Sequence, residues 1–335
     1  MRIGRELTAI LLCMALLVGC SVGTSAETGK ARPLPRSTSR LPLAEITSDH
    51  YSLNHMTDAR SARELLDSLE VFRTHFLKTF RQAGFRVTPP RHRMGWVLFN
   101  RSRHFDDYVR SADRIDASWF REYYSARTNR VAMTLPAPMV VRAEPRKSVY
   151  ESDRLVSPAR PRRVRAEYDR GFDIERVTHE AAHQLAFNCG LQKRGVMYPV
   201  WVSEGLATNF ETEDPASGGP ATDNRPRRHY LVRAMERGRL IPLKHFVTAT
   251  RVPADDDELA GDLYDQSWGF FRFVFEKRRS QLRRYLAALH RVNTKYRSRE
   301  RRLQEFTAAF GDPEDLEDDW IAYIESLRDR YARRR

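Results

Sequence analysis

The chain has 335 residues, 41% hydrophobic and 30% charged, with a formal net charge of +14 at pH 7. That length and balance exclude a disordered polymer and leave room for one large or two small domains with a substantial core. A strongly basic chain first suggests nucleic acid or an anionic surface, but an Arg-rich solvated surface is the plainer account, and an export signal at the N-terminus argues against nucleic acid.

Residues 1–19 read as a leader, with Arg2 and Arg5 ahead of an apolar run, Ala9 to Val18, that is too short to span a bilayer comfortably. The run ends in Leu17-Val18-Gly19-Cys20, which resembles a bacterial lipobox; the resemblance implies cleavage before Cys20 and lipidation of its thiol. An ordinary secretory peptide cut near Ser25-Ala26 is the alternative. Ser21 after Cys20 favours outer-membrane sorting, facing the periplasm, if the host is Gram-negative. Cys13 and Cys20 belong to this leader, so the body carries only Cys189, and no disulfide framework can form. Residues 20–45, rich in Ser, Thr, Pro and Arg, read as a disordered tether.

Ordered structure is expected from about residue 46. His50 to Met56 alternates as a strand does, and Thr57 caps a long helix to Ala83, with Leu65, Leu69, Phe72, Phe76 and Phe80 on one stripe and Gly84 as the stop. Met94 to Phe99 is a short apolar strand, Phe105 to Ser111 a short helix, and Val131 to Leu135 another strand. The Pro- and charge-rich stretch Arg142 to Arg170 reads as a solvated surface excursion. The N-terminal α/β sub-domain thus covers 46–170 and a helical sub-domain 171–330.

Asp173 to Asn188 contains His179-Glu180-Ala181-Ala182-His183. Ile174, Val177, Ala181 and Leu185 recur at helical spacing, Asp173 is a suitable N-cap, and Cys189-Gly190 ends the pattern. On such a helix the two histidines share a face and can reach one metal ion, while Glu180 lies about 100° round, where it can serve a general base's role. Pro199 and Ser203 start a second helix that carries Glu204. His179, His183 and Glu204 make three ligands, which leaves the fourth position of a catalytic zinc site to water.

His-Glu-Ala-Ala-His followed by Trp201-Val202-Ser203-Glu204-Gly205-Leu206-Ala207 resembles the gluzincin zinc metallopeptidases, and the layout is similar to the uncharacterised bacterial peptidase-MA-like families. The resemblance implies an α+β fold: a small mixed sheet with a helix, then a mostly helical zinc-binding lobe. It assigns Zn2+ to His179, His183 and Glu204, the general base to Glu180, and a ligand-orienting role to Glu211, two turns beyond Glu204 on the same helix face. Thermolysin-type members carry an Asp four residues after the third ligand, where this chain has Thr208. The strand from Asn129 to Leu135 is read as an ordinary sheet strand, with the resemblance offering it as an edge that pairs with a peptide substrate.

Asp214 to Arg228 reads as a mobile loop, and His229 to Arg237 as a helix. Leu263 opens another helix, on which Tyr264, Trp268, Phe271 and Phe275 form one stripe. Core packing accounts for all four; the family resemblance makes Tyr264 a donor to the oxyanion, although Tyr264-Asp265-Gln266-Ser267 only loosely matches the family's Tyr-Glu-Lys-Gly segment. Two more helical stripes follow, Leu282 to Leu289 and Leu316 to Leu327. The remaining histidines have no ligand spacing, and Cys189 reads as a buried small hydrophobe. The expected activity is hydrolysis of a peptide or protein substrate by a lipid-anchored, monomeric enzyme of the cell envelope. The alternative is a lipid-anchored binding or scaffolding protein with an inactive site.

Overall fold

Residues 29–38, 41–115, 117, 120–135, 172–253, 255–292 and 296–332 are described by a computed structural model, an α+β arrangement of one small sheet followed by a mostly helical remainder. The leader with Cys20 and the segment 142–170 lie outside the described residues. Among those described, no helix is long and apolar enough to cross a membrane.

The sheet contains β1 (Ala44–Thr47), β2 (Tyr51–His55), β3 (Met94–Phe99), β4 (Glu122–Ser125) and β5 (Arg130–Thr134), in the order β1-β2-β3-β5-β4. The inner three are parallel, and each outer strand runs antiparallel to its neighbour. Helix α1 (Ala59–Gln82) links β2 to β3, and α2 (Ser102–Asp113) follows β3. Every residue of β3 is buried, which matches its unbroken apolar sequence: a central strand covered on both faces has no polar side to show. Alternate β3 residues divide between two cores. Met94, Trp96 and Leu98 join the large one with α1, whereas Val97 and Phe99 pack with Phe105, Tyr108 and Val109 of α2.

Several expectations are corrected here. The cap of α1 is Asp58, whose Oδ1 accepts the Ser61 N–H at 2.9 Å, not Thr57. Strand β5 is flanked on both sides by strands, so it offers no free edge; the sheet's edges are β1 and β4. Both edge strands are only four residues long and went unread in the sequence. β1 begins inside the stretch assigned to the tether, and Arg32 N donates to Thr128 O at 2.9 Å, docking residues ahead of it onto the β4–β5 turn.

The helical part comprises α3 (Ile174–Asn188), α4 (Val200–Thr208), α5 (Arg225–Glu236), α6 (Leu243–Phe246), α7 (Asp257–Lys277), α8 (Arg279–His290), α9 (Arg299–Phe310) and α10 (Pro313–Ala332). Helix α5 starts before His229 and α7 starts before Leu263, because the side chains of Asn224 and Asp256 accept N–H groups of their first turns. The segment ahead of α5, expected to be mobile, is tied down: His75 Nε2 meets Gly218 O at 3.0 Å, and Arg272 donates to the carbonyls of Ala221 and Thr222.

Helix α7 is the central rod. It crosses α4 so closely that a Cβ on Gly205 would lie 2.9 Å from Phe271 Cβ and closer still to the Ser267 carbonyl oxygen. The glycine that follows Glu204 is therefore needed for the crossing rather than for any unusual dihedral. One turn earlier on the same face of α4, Trp201 stacks on Tyr285 of α8 at 5.6 Å and meets Phe270 of α7 edge-on at 5.2 Å. Burial of these rings sets the rotation of α4 and thereby the direction of Glu204.

Candidate metal centre

Helix α3 is held against the sheet by a few specific polar contacts. The buried Gln184 amide accepts from Trp96 Nε1 at 2.7 Å and donates to Gly95 O at 3.1 Å, both on β3. Arg176 pairs with Glu122 of β4, with Nε to Oε1 at 2.7 Å. At the far end, Asn188 and Asn129 exchange amide hydrogen bonds of 2.8 and 3.0 Å. The N-terminus is capped by Asp173, which accepts the Arg176 N–H, and the chain leaves the helix through Gly190 at φ +90°, a left-handed conformation that favours glycine.

Held this way, α3 presents His179 and His183 to α4. Their Nε2 atoms are 3.2 Å apart, and Glu204 Oε2 lies 3.4 Å from the first and 3.5 Å from the second. These three separations have a simple meaning. Ligands about 2.1 Å from a tetrahedral ion are spaced about 3.4 Å from one another, since a tetrahedron's edge is about 1.63 times its centre-to-corner distance. The buried group His179, His183 and Glu204 can hold a metal ion.

The carboxylate itself points to a cation. Glu204 is fully buried, and neither of its oxygens has a hydrogen-bond partner among the described residues. Desolvation alone would raise its pKa, yet the facing His183 and His179 hold the carboxyl at about 2, so it stays ionised. A buried anion without donors is costly unless positive charge meets it. His179 shows the same field from the other side. Burial opposes its protonation, but Glu204 and Glu211 outweigh that effect and push its pKa to about 10. A proton and a divalent ion therefore compete for one negative pocket.

Glu211 reaches His179, by a geometry other than the expected one. Helix α4 ends at Thr208, so Glu211 is not two turns further along a helix face; it lies on the segment leaving α4. Its Oε1 meets His179 Nδ1 at 3.0 Å. A proton on Nδ1 leaves Nε2 with its lone pair free for a metal. Thr208, in place of the thermolysin-type Asp, turns its hydroxyl back to the Glu204 carbonyl at 2.7 Å.

Glu180 is buried on α3, and its negative charge adds to the rise at His179. Tyr264 is buried on α7, with the Arg227 guanidinium 5.8 Å from its ring centre. Cys189 is buried, and burial pushes its thiol up to about 12, the state of an inert core residue.

Two charged residues escaped the sequence reading. Arg227 donates through Nε and Nη2 to the two oxygens of Glu211, both at 2.9 Å, and through Nη1 to Asp265 Oδ1 at 2.9 Å. Arg227 sits in an arginine-rich run that looks solvated, and Asp265 in a stretch that draws attention to its neighbour Tyr264. The usable signal was an acidic residue set among Leu263, Tyr264 and Trp268, which calls for a buried counter-charge.

A family model described as a protein of unknown function (DUF1570) matches residues 173–294. The matched segment includes His179, Glu180, His183, Glu204, Glu211, Arg227 and Asp265, and leaves out the sheet. No curated protein matches the chain.

Proposed function

We propose that this chain is a zinc-dependent peptide-bond hydrolase of the gluzincin type. The supporting observation is the set of three donor atoms, 3.2 to 3.5 Å apart, carried by a His-Glu-x-x-His helix and its neighbour. Three protein ligands are the complement of a catalytic rather than a closed structural zinc site. A divalent ion held there supplies Lewis acidity to the attacking water and to the scissile carbonyl.

Glu180 takes one proton from the water as its oxygen bonds to the carbonyl carbon, then delivers that proton to the departing nitrogen as the C–N bond breaks. The second water proton stays on the new carboxyl group and then passes to the released amine, so the products are a carboxylate and an ammonium. Glu211 holds the ring of His179, and the Tyr264 hydroxyl donates to the developing oxyanion. The substrate is a peptide or protein. The lipobox-like leader supports attachment to the cell envelope through lipid on Cys20, checked by detergent-phase partition that a Cys20→Ser chain should lose.

Elemental analysis of the purified chain should find one zinc, and a peptide library should be cut in a chelator-sensitive way. Glu180→Gln should keep the metal and lower turnover by about 10²–10⁴-fold. Cleavage by Glu180→Gln at the parent rate would remove the base from the mechanism, and a chain purified without stoichiometric metal that binds none on addition would remove the enzyme.

A further inference from the structure

We propose that Arg227 is a positioning residue for the metal centre, acting through Glu211 on His179. The inference rests on the reading of His179, His183 and Glu204 as metal ligands.

Four side chains from four segments form one line: Asp265 on α7, Arg227 on α5, Glu211 after α4, and His179 on α3. Their side chains are at most 10% exposed. Arg227 grips Glu211 as a fork, with one nitrogen on each oxygen, so the carboxylate cannot turn about its terminal bond. Glu211 Oε1, one of the gripped atoms, is also the atom that meets His179 Nδ1. The fork thus sets the plane in which the imidazole is held and points Nε2 toward His183 and Glu204.

The arginine is itself constrained. The Asn224 side chain accepts the Arg227 N–H at 3.1 Å, fixing its backbone at the start of α5. Asp265 takes the third guanidinium nitrogen, and the Tyr264 ring lies 5.8 Å from the guanidinium carbon. A lysine could supply the charge here but not the fork, because an ammonium is a point donor. Without any cation, Glu211 and Asp265 would be neighbouring buried carboxylates with no counter-charge. The line also ties Tyr264 and the ligand His179 to one guanidinium, so the two sides of the site are positioned together.

The test is zinc affinity by competition with a chromophoric chelator, together with the visible spectrum of the Co²⁺-substituted protein, in the parent, Arg227→Lys, Arg227→Met and the double variant Arg227→Met/Asp265→Asn. Arg227→Met should weaken zinc binding about 10–100-fold and alter the Co²⁺ bands, the scale seen when a ligand's orienting partner is lost. Arg227→Lys should fall between it and the parent. The double variant, which removes the stranded aspartate charge, should recover fold stability but not affinity. A purely structural arginine would instead lower the melting temperature and leave the affinity and Co²⁺ spectrum of the folded protein unchanged. Parent-like affinity and spectrum in folded Arg227→Met would therefore overturn the proposal. Should that variant fail to fold, the double variant decides, and should neither fold, parent-like values in Arg227→Lys overturn the fork. A parent chain that binds neither metal overturns the metal reading and this proposal with it, whereas a binding parent with indifferent variants removes Arg227 alone.

Discussion

The two faces of the sheet bury their side chains by different means. On the α2 face, Val97, Phe99, Phe105, Tyr108, Tyr123 and Ala132 make a small apolar core, with a buried carboxylate at its margin, Asp113, that accepts from the Tyr123 and Ser125 hydroxyls and the Arg127 guanidinium. On the opposite face, α1 and α3 are also packed by apolar residues, but behind them lies a line of buried charges from Glu204 to Asp265. The contacts of Asp113 stay between α2 and the β4–β5 hairpin and do not reach His179, His183 or Glu204. The second face supplies direction to the site, because each buried ion accepts only particular partners at particular distances.

The comparison is broken most forcefully at Phe105, which is fully buried among Phe99, Phe120 and Tyr123. Phe105→Ala should cost about 3–5 kcal/mol of stability. Zinc affinity of the molecules that remain folded should match the parent, since the described hydrogen bonds and ion pairs of His179, His183, Glu204, Glu211 and Arg227 do not involve α2. Urea unfolding with zinc titration checks both halves of the statement. A large fall in affinity would mean that the two faces are coupled and that the division drawn here is wrong.

Gly205 probes the site's side of the division. Ala at this position meets the Ser267 carbonyl and Phe271, neither of which is a flexible side-chain end, so α4 must shift away from α7. The expected cost is about 1–3 kcal/mol, typical of overpacking. Unlike Phe105→Ala, this change should also weaken zinc binding, because the displaced helix carries Glu204. Thermal melts paired with chelator competition would reveal a stability loss without an affinity loss, the result that would detach Gly205 from the metal centre.

How much of this was legible in the sequence follows the same division. The long amphipathic α1, the apolar β3, helix α3 and its two histidines announce themselves by period or spacing. The short edge strands do not, since four residues are too few for a period. Glu204, the third member of the group, stood out because it sits in a motif with Trp201 and Gly205, and the fold explains both neighbours as packing devices for the helix that carries it. Glu211 was given an orienting role on the wrong geometry and without a named partner: the helix stops at Thr208, and the carboxylate meets His179 from the segment beyond. Gln184 and Arg227 were missed for one reason: each works through partners far away in sequence, and no local pattern encodes that.

The smallest expected effect is the most specific. In the metal-free protein His179 has a pKa of about 10, raised against burial by Glu204 and Glu211, whereas the unfolded chain has the ordinary value of 6.5. Between those values the folded state holds the extra proton, so stability is fully present below pH 6.5 and declines as pH rises toward 10. From pH 7 to 8.5 the chelator-treated protein should lose about 1–2 kcal/mol, read as a falling urea midpoint. With zinc bound, His179 serves as an unprotonated ligand and the unfolded imidazole is also largely neutral, so that slope should vanish. The strongly shifted groups around the site do not compete in this window: Glu204 and Glu211 are held at about 2, Asp265 is raised by burial only to about 6 and is ionised at pH 7 and above, and Cys189 is pushed to about 12. A flat profile with chelator would mean that the carboxylates do not bear on His179 as their distances require. A slope that persists in excess zinc would mean that His179 is not a ligand.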